Sequence, residues 1–238
     1  GCAMVLCILF LEFPPLILCL SGLCLIVITE VLLPQTKGYL LYPIHLRLLI
    51  LPGFTPGGGM FVLYPVIPWL GVALLGMAFG KYVTSRKKFD LTRFFYPGLM
   101  LILLFFALRV NGGFGNIRMT DEGGVIGFFN VVKYPPSISL LLITLGINLI
   151  ALSIFSNEGR TVRRMITPLA VLGRVPLFFY LFHLFLFALT GRAIGPEKMS
   201  LAAMYGFWIS GLVFMYPFCA FYAGQKQRSR PSSYMRLI

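Results

Sequence analysis

The chain has 238 residues, of which 58% are apolar and 11% are charged, and its mean hydropathy is +0.90. These values exclude an ordinary water-soluble domain, whose surface needs a larger share of polar side chains. The net charge of +13 would suit a nucleic acid, but the lysines and arginines lie at the ends of apolar runs and not along one polar face. We therefore predict a membrane protein with the lipid bilayer as its partner and no nucleic-acid partner.

The chain begins inside an apolar run, without an initiator methionine or a basic leader segment. Residues 3–11 have the composition of the end of a helix, which Glu12 and the Pro14-Pro15 pair would stop. This pattern predicts that the N-terminal part of the protein is missing. Residues 1–238 would then be a single transmembrane domain that forms the C-terminal portion of a larger membrane domain.

Apolar runs of membrane-spanning length follow one another along the chain. About 20 helical residues cover the hydrocarbon core of a bilayer, and only helices or closed barrels satisfy every backbone group there. The runs cover residues 16–33, 60–80, 94–108, 138–155, 167–189 and 201–222. The sequence therefore predicts an all-α, polytopic transmembrane helical bundle with about six complete spans and an N-terminal helix fragment.

Two details of these runs carry further expectations. Glu30 lies near the end of the first run, where a carboxylate can reach the membrane interface. Gly76 and Gly80 have the spacing of a close helix contact.

Residues 34–59 form a long connection, whose middle, 46–51, is too short to cross and fits an interfacial or re-entrant piece. His45 in this connection is interpreted as a solvated loop histidine.

Basic residues are concentrated in three connections, which cover residues 81–93, 156–164 and the C-terminal tail from Lys226. All three fall on one side of the predicted layout, and the positive-inside rule assigns that side to the cytoplasm. The C-terminus would then be cytoplasmic and the connection 34–59 would lie outside.

No cysteine pair has the spacing of a metal site, so we predict no bound metal.

His183 is the first candidate for chemistry, because it is an ionisable group inside an apolar run. Tyr180 lies three residues earlier, on the same face of a helix, so both could point into the bundle as catalytic groups. A histidine that only packs against a neighbouring helix is the alternative.

Arg174 lies where this helix would enter the membrane from the cytoplasm, either as an interfacial anchor or as a ligand for a phosphate of a cofactor.

At the opposite ends of the spans lie two cations, Arg109 and Lys133, with Tyr134 next to a Pro-Pro pair. Cations at the ends of spans are common, but these three residues could also bind an anionic or polar substrate. We keep them as candidate substrate-binding residues.

Four strings in order along the chain resemble one family. They are YPVIPWLGVALLG at 64–76, FNVVKYPPS at 129–137 with TLG at 144–146, LGRVPLFFYLFH at 172–183, and MYPFC at 215–219 before a basic tail. Together they resemble the bacterial membrane proteins that are similar to heparan-alpha-glucosaminide N-acetyltransferase, from residue 64 to the C-terminus. The histidine to which that family's acyl transfer is assigned has no counterpart here, and His45 does not match its position.

The resemblance implies a transmembrane acyltransferase of the bacterial inner membrane. Such a protein moves an acyl group from cytoplasmic acyl-CoA, most simply acetyl-CoA, to a small-molecule or glycan acceptor at the outer face. No other cofactor is implied, and a homo-oligomer stays open. The alternative is a proton-coupled transporter or a non-catalytic membrane subunit, in which His183 relays protons or packs.

Overall fold

Helices dominate the computed structural model, which describes residues 2–32, 49, 53–54, 61–86, 89–116, 124–156, 159–195 and 200–229. The helices are α1 Cys2–Leu6, α2 Pro15–Leu32, α3 Val66–Thr84, α4 Phe95–Asn111, α5 Gly124–Phe129, α6 Ile138–Phe155, α7 Arg160–Gly173, α8 Pro176–Ile194 and α9 Leu201–Arg228. Two strands of two residues, β1 Gly53–Phe54 and β2 Phe61–Val62, pair antiparallel. The predicted all-α fold class is confirmed.

Within the part of the chain that the structure describes, six helices are long and apolar enough to cross a membrane. They are α2, α3, α6, α8, α9 and the stretch Leu91–Asn111, in which a 3-10 helix, Leu91–Phe94, leads into α4. The predicted number of spans is confirmed. Several boundaries differ from those predicted: α3 begins at Val66, after Pro65, and α9 continues to Arg228. The predicted interfacial segment 46–51, apart from Leu49, and His45 lie outside the described residues. The chain is an integral membrane protein associated with the lipid bilayer.

The bounds predicted for the span over residues 167–189 are wrong, because two helices share that run. α7 ends at Gly173 and α8 begins at Pro176. Proline lacks an N–H group and disfavours a helical conformation in the residue before it. Accordingly, Val175 has φ −130° and ψ 54°, outside the helical region. The spanning helix therefore begins at Pro176 and reaches Ile194.

The chain divides into two compact units, Gly1–Ser156 and Asn157–Ile238. In the first unit α2 packs against α3, and α4 packs against α6. In the second unit α9 packs against both α7 and α8. The expectation that all these residues form one transmembrane domain stays a prediction.

Both helix pairs of the first unit cross at glycines. A Cβ atom added to Gly22 would lie 2.7 Å from the carbonyl oxygen of Gly71, and one added to Gly71 would lie 2.9 Å from that of Gly22. In the pair of α4 and α6, a Cβ atom added to Gly98 would lie 2.8 Å from the carbonyl oxygen of Gly146, and one added to Gly146 would lie 2.9 Å from that of Gly98. Small residues allow this close backbone approach, which is a main source of helix association in lipid.

The prediction that Gly76 and Gly80 make the close contact of α3 is wrong. Among the residues that the structure describes, no atom lies within 4 Å of a Cβ added to either glycine. The spacing of two small residues specifies a smooth helix face but not which helix packs there. In α3 the contact is made by Gly71 instead.

Alanine at Gly71 should therefore destabilise the fold, while alanine at Gly76 in the same helix should not. We expect Gly71→Ala to lower the free energy of unfolding by about 1–3 kcal/mol, because the added methyl group meets the backbone of Gly22. Gly76→Ala should raise it by about 0.5–1 kcal/mol through helix propensity. SDS-induced unfolding in micelles, followed by circular dichroism, measures both. Equal effects would contradict the glycine crossing.

Candidate functional site

Arg109 lies near the end of α4 and is buried, with 6% of its surface exposed. Its Nε donates to the carbonyl oxygen of Phe128 at 2.8 Å, and its Nη2 donates to that of Gly127 at 2.7 Å. Its Nη1 donates to Oδ1 of Asn116, also at 2.8 Å. These acceptors are uncharged, and the guanidinium joins the end of α4 to α5. The contacts give Arg109 a structural role, and its predicted role in substrate binding stays a prediction.

Glu30 is a buried carboxylate that the sequence analysis did not include in the site. It lies near the end of α2, and only 9% of its surface is exposed. Its predicted position at the membrane interface stays a prediction. Its Oε2 accepts a hydrogen bond of 3.3 Å from the backbone N–H of Ile138, the first residue of α6. A helix N-terminus favours a negative group because its N–H groups have no partner within the helix. An acidic residue near the end of an apolar run was the available signal.

Two buried hydroxyl groups adjoin this contact in the chain. Ser137 and Ser139 are 0% and 1% exposed, and their Oγ atoms lie 3.0 Å apart. Ser137 also caps α6 by accepting a hydrogen bond from the N–H of Leu140 at 3.2 Å. Ser139 donates its backbone N–H to the carbonyl oxygen of Gly115, in the turn after α4. These contacts bring the ends of α2, α4 and α6 together in one polar cluster.

The predicted substrate residues Lys133 and Tyr134 come together in an aromatic group at the start of α3. The hydroxyl oxygens of Tyr134 and Tyr64 are 3.1 Å apart, and their rings meet edge to face at 5.1 Å. The ring of Trp69 lies 5.5 Å from that of Tyr64. Nζ of Lys133 lies 5.3 Å from the centre of the Tyr134 ring. We call these four residues the aromatic platform.

A pocket of about 530 Å³ adjoins the aromatic platform and is lined by Tyr64, Trp69, Val72 and Ala73 of this region and by Cys2, Ala3 and Met4 of α1. Nε1 of Trp69 is buried and has no hydrogen-bond partner among the residues that the structure describes. Buried indole N–H groups usually find an acceptor. The platform thus combines aromatic faces with a cation, and two of its rings, those of Tyr64 and Trp69, line the pocket.

The platform also makes the phenol of Tyr134 more acidic. The hydrogen bond with the Tyr64 hydroxyl, and then the neighbouring Lys133, hold the pKa of Tyr134 below its ordinary value. Tyr64→Phe should therefore raise the pKa of Tyr134, because the phenolate loses its donor. Alkaline titration of phenolate absorbance, with Tyr134→Phe in each background as the reference, measures this pKa. An unchanged pKa in Tyr64→Phe would contradict the hydrogen bond.

In the second unit, Arg174 lines an open cleft of about 460 Å³ together with Ala223, Lys226 and Gln227. Nζ of Lys226 lies 3.4 Å from the carbonyl oxygen of Arg174 and donates to it. This lining set contains two cations and no acid, which suits a phosphate group. Arg174 was predicted from the sequence, whereas Lys226 was not, because in the sequence it is only one residue of the basic tail.

His183 and Tyr180 lie together on α8, as the sequence predicts. Their rings are 5.3 Å apart, and the His183 ring also stacks on Phe179 at 5.5 Å. Nδ1 of His183 lies 3.2 Å from the carbonyl oxygen of Phe179. With the proton on Nδ1, this contact leaves Nε2 as the basic nitrogen. Tyr180 is 54% exposed. The catalytic roles of both residues stay predictions.

A comparison with protein families gives a match for the N-terminal part of the chain. Residues 1–108 match the family model described as heparan-alpha-glucosaminide N-acetyltransferase, catalytic. Comparisons with curated proteins and with solved structures gave no significant match. The matched part contains Glu30, Tyr64 and Trp69, whereas the resembling strings from residue 129 onward lie beyond it. Over residues 1–108 the chain therefore matches the catalytic family of heparan-alpha-glucosaminide N-acetyltransferase. The match confirms the family that the sequence resembles, and it supports the resembling region, which begins at residue 64, as far as residue 108.

Proposed function

We propose that the protein is a membrane acyltransferase that moves an acetyl group from acetyl-CoA in the cytoplasm to a carbohydrate-like acceptor at the outer face. The match of residues 1–108 to a catalytic acetyltransferase family carries this proposal. We assign the protein to a bacterial inner membrane with its C-terminus in the cytoplasm. The three basic connections support that orientation.

The aromatic platform is the proposed acceptor site. Sugar rings present C–H groups that pack on aromatic faces and hydroxyl groups that bind polar side chains. Tyr64, Trp69 and Tyr134 supply the faces, and Lys133 supplies a cation over the ring of Tyr134. Glu30 contacts the start of α6 and Arg109 contacts α5, and these are the two helices that flank Lys133 and Tyr134. By the proposed orientation this end faces outward.

The cleft of Arg174 and Lys226 is the proposed site for the phosphates of acetyl-CoA. Arginine pairs with phosphate through two parallel hydrogen bonds, and lysine adds a compact charge. Both residues lie in the second unit, where α8 begins and α9 approaches its end. The basic tail that follows puts this end of α9 on the cytoplasmic side in the proposed orientation.

Two kinds of protein group can assist acetyl transfer, a base and a hydrogen-bond donor. A base removes the proton from the acceptor hydroxyl or amine, whose oxygen or nitrogen attacks the thioester carbonyl, and a donor stabilises the resulting oxyanion. The carbon–sulfur bond then breaks and CoA leaves as the thiolate, which takes up a proton. We assign the base to Nε2 of His183 and the hydrogen-bond donor to Tyr180.

The test is transfer of label from acetyl-CoA, carrying a radioactive acetyl group, to a glucosamine-containing acceptor by the purified chain in nanodiscs. We expect label on the acceptor, and we expect His183→Ala to lower the rate more than tenfold, since general base catalysis contributes about 10²–10⁴-fold. His45→Ala removes the other histidine of the chain and serves as the matched control.

The alternative functions predict different results in the same preparation. Proton-coupled uptake of a sugar into sealed vesicles, without label transfer, would favour a transporter. A folded sample that neither transfers label nor binds acetyl-CoA would contradict the acyltransferase. Equal rates for His183→Ala and the native chain would return His183 to a packing role.

A further inference from the structure

α7 is a basic amphipathic helix between two membrane-spanning helices. At 100° per residue, positions 160, 163, 164 and 167 fall on one arc, and three of them are arginine in the sequence. Positions 162, 166 and 169, on the opposite arc, hold valine, isoleucine and leucine. The helix contains no acidic residue. Its 14 residues span about 21 Å at 1.5 Å each, too short for a bilayer crossing.

The structure leaves part of the apolar arc of α7 uncovered. Val162 and Ile166 are partly buried, but Leu169, on the same apolar arc, is 57% exposed. Arg164 on the polar arc is also exposed. The C-terminal end of α7 is fixed, because Leu172 packs against the buried group that includes Val175.

We propose that α7 lies in the plane of the membrane surface and binds the anionic headgroups of phospholipids with its arginine arc. A helix with a cationic arc and an apolar arc takes this position, with the apolar side chains in the acyl boundary and the cations among the phosphates. The spanning helix α8 begins at Pro176, so the C-terminal end of α7 is held at the depth where headgroups lie. This surface lies outside the proposed donor and acceptor sites, and its function is lipid recognition.

Native mass spectrometry of the full chain in micelles tests the proposal by titration with two lipids of identical tails, phosphatidylglycerol and phosphatidylcholine. We expect tighter binding of phosphatidylglycerol. Arg164→Gln should weaken that binding about fivefold, the effect of one cation near an anionic surface, and should leave phosphatidylcholine unchanged. Replacing Arg160, Arg163 and Arg164 together with glutamine should abolish the preference.

The matched control is Arg192→Gln, which removes an exposed arginine near the other end of α8. It should leave the preference for phosphatidylglycerol intact. Equal affinities of the native chain for the two lipids, or equal losses in Arg164→Gln and Arg192→Gln, would overturn the proposal. Arg164→Lys keeps the positive charge, so it should retain most of the binding of phosphatidylglycerol.

A second measurement reports where the apolar arc lies. In Leu169→Trp, lipids brominated near the headgroup should quench the added fluorescence more strongly than lipids brominated at the chain end. Stronger quenching at the chain end, or no quenching by either lipid, would overturn the in-plane position. Both measurements are independent of acetyl transfer, so they test the lipid-binding proposal separately from the proposed function.

Discussion

Arg109→Met should lower the free energy of unfolding by about 3 kcal/mol or more, the largest folding effect that we expect of one substitution in this chain. Methionine fills much of the same space but donates no hydrogen bond. The carbonyl oxygens of Gly127 and Phe128 would lose a charged donor, and each such bond contributes about 1.5–3 kcal/mol. SDS-induced unfolding in micelles, followed by circular dichroism, measures the change.

Two further variants distinguish the hydrogen-bonding geometry of the Arg109 guanidinium from its positive charge. Arg109→Lys keeps the charge but cannot reach several acceptors at once, so we expect a loss smaller than that of Arg109→Met. Arg192→Met removes an exposed arginine and should change stability by less than about 0.5 kcal/mol. If Arg109→Met folded as well as the native chain but lost acceptor affinity, the structural role would be wrong.

Acetyl-CoA should bind about tenfold or more weakly to Arg174→Ala and to Lys226→Ala. Each substitution removes one charge-assisted contact of about 1.5–3 kcal/mol from the proposed phosphate site, and 1.4 kcal/mol corresponds to a factor of ten. Isothermal titration calorimetry with the purified chain measures the affinities. Lys133→Ala removes a cation from the proposed acceptor site, and we expect it to leave acetyl-CoA binding unchanged.

Shortening the ligand makes this test sharper. The native chain should bind CoA more tightly than dephospho-CoA, which lacks one phosphate group. Arg174→Ala should bind the two almost equally if its guanidinium holds that phosphate, whereas a general loss of affinity would leave the ratio unchanged. An unchanged ratio in both Arg174→Ala and Lys226→Ala would contradict the assignment of this cleft to that phosphate.

Membrane-spanning runs were predictable because each depends on local composition and length. The run over 138–155 matches α6 at both ends, since Ser137 caps it and Pro135-Pro136 precede it. The run over 167–189 was predicted as one span because apolar side chains lie on both sides of the break at Val175. Gly173, Arg174 and Pro176 mark the break in the sequence, and the geometry before Pro176 ends one helix and begins the next.

Residue contacts at the candidate sites were less predictable, because their partners are distant in sequence. Lys226 meets Arg174 across 52 positions. Glu30 binds a backbone N–H 108 positions away, and a backbone group carries no signal in the residue types. For Arg109, the sequence indicated a cation at the end of a span. It did not indicate that the guanidinium group donates hydrogen bonds to main-chain carbonyl groups. The rings of His183 and Tyr180 were predictable because they share one helix face.

The glycine crossings of the first unit also determine which substitutions its helices can accept. Because backbone meets backbone at Gly22 with Gly71 and at Gly98 with Gly146, the spacing of each pair does not depend on the size of the side chains elsewhere on those helices. Exposed apolar positions such as Leu103 and Leu20 need only remain soluble in lipid. In a saturation mutagenesis library, tolerance should therefore be broad for apolar residues along these helices and fall sharply at the four glycines.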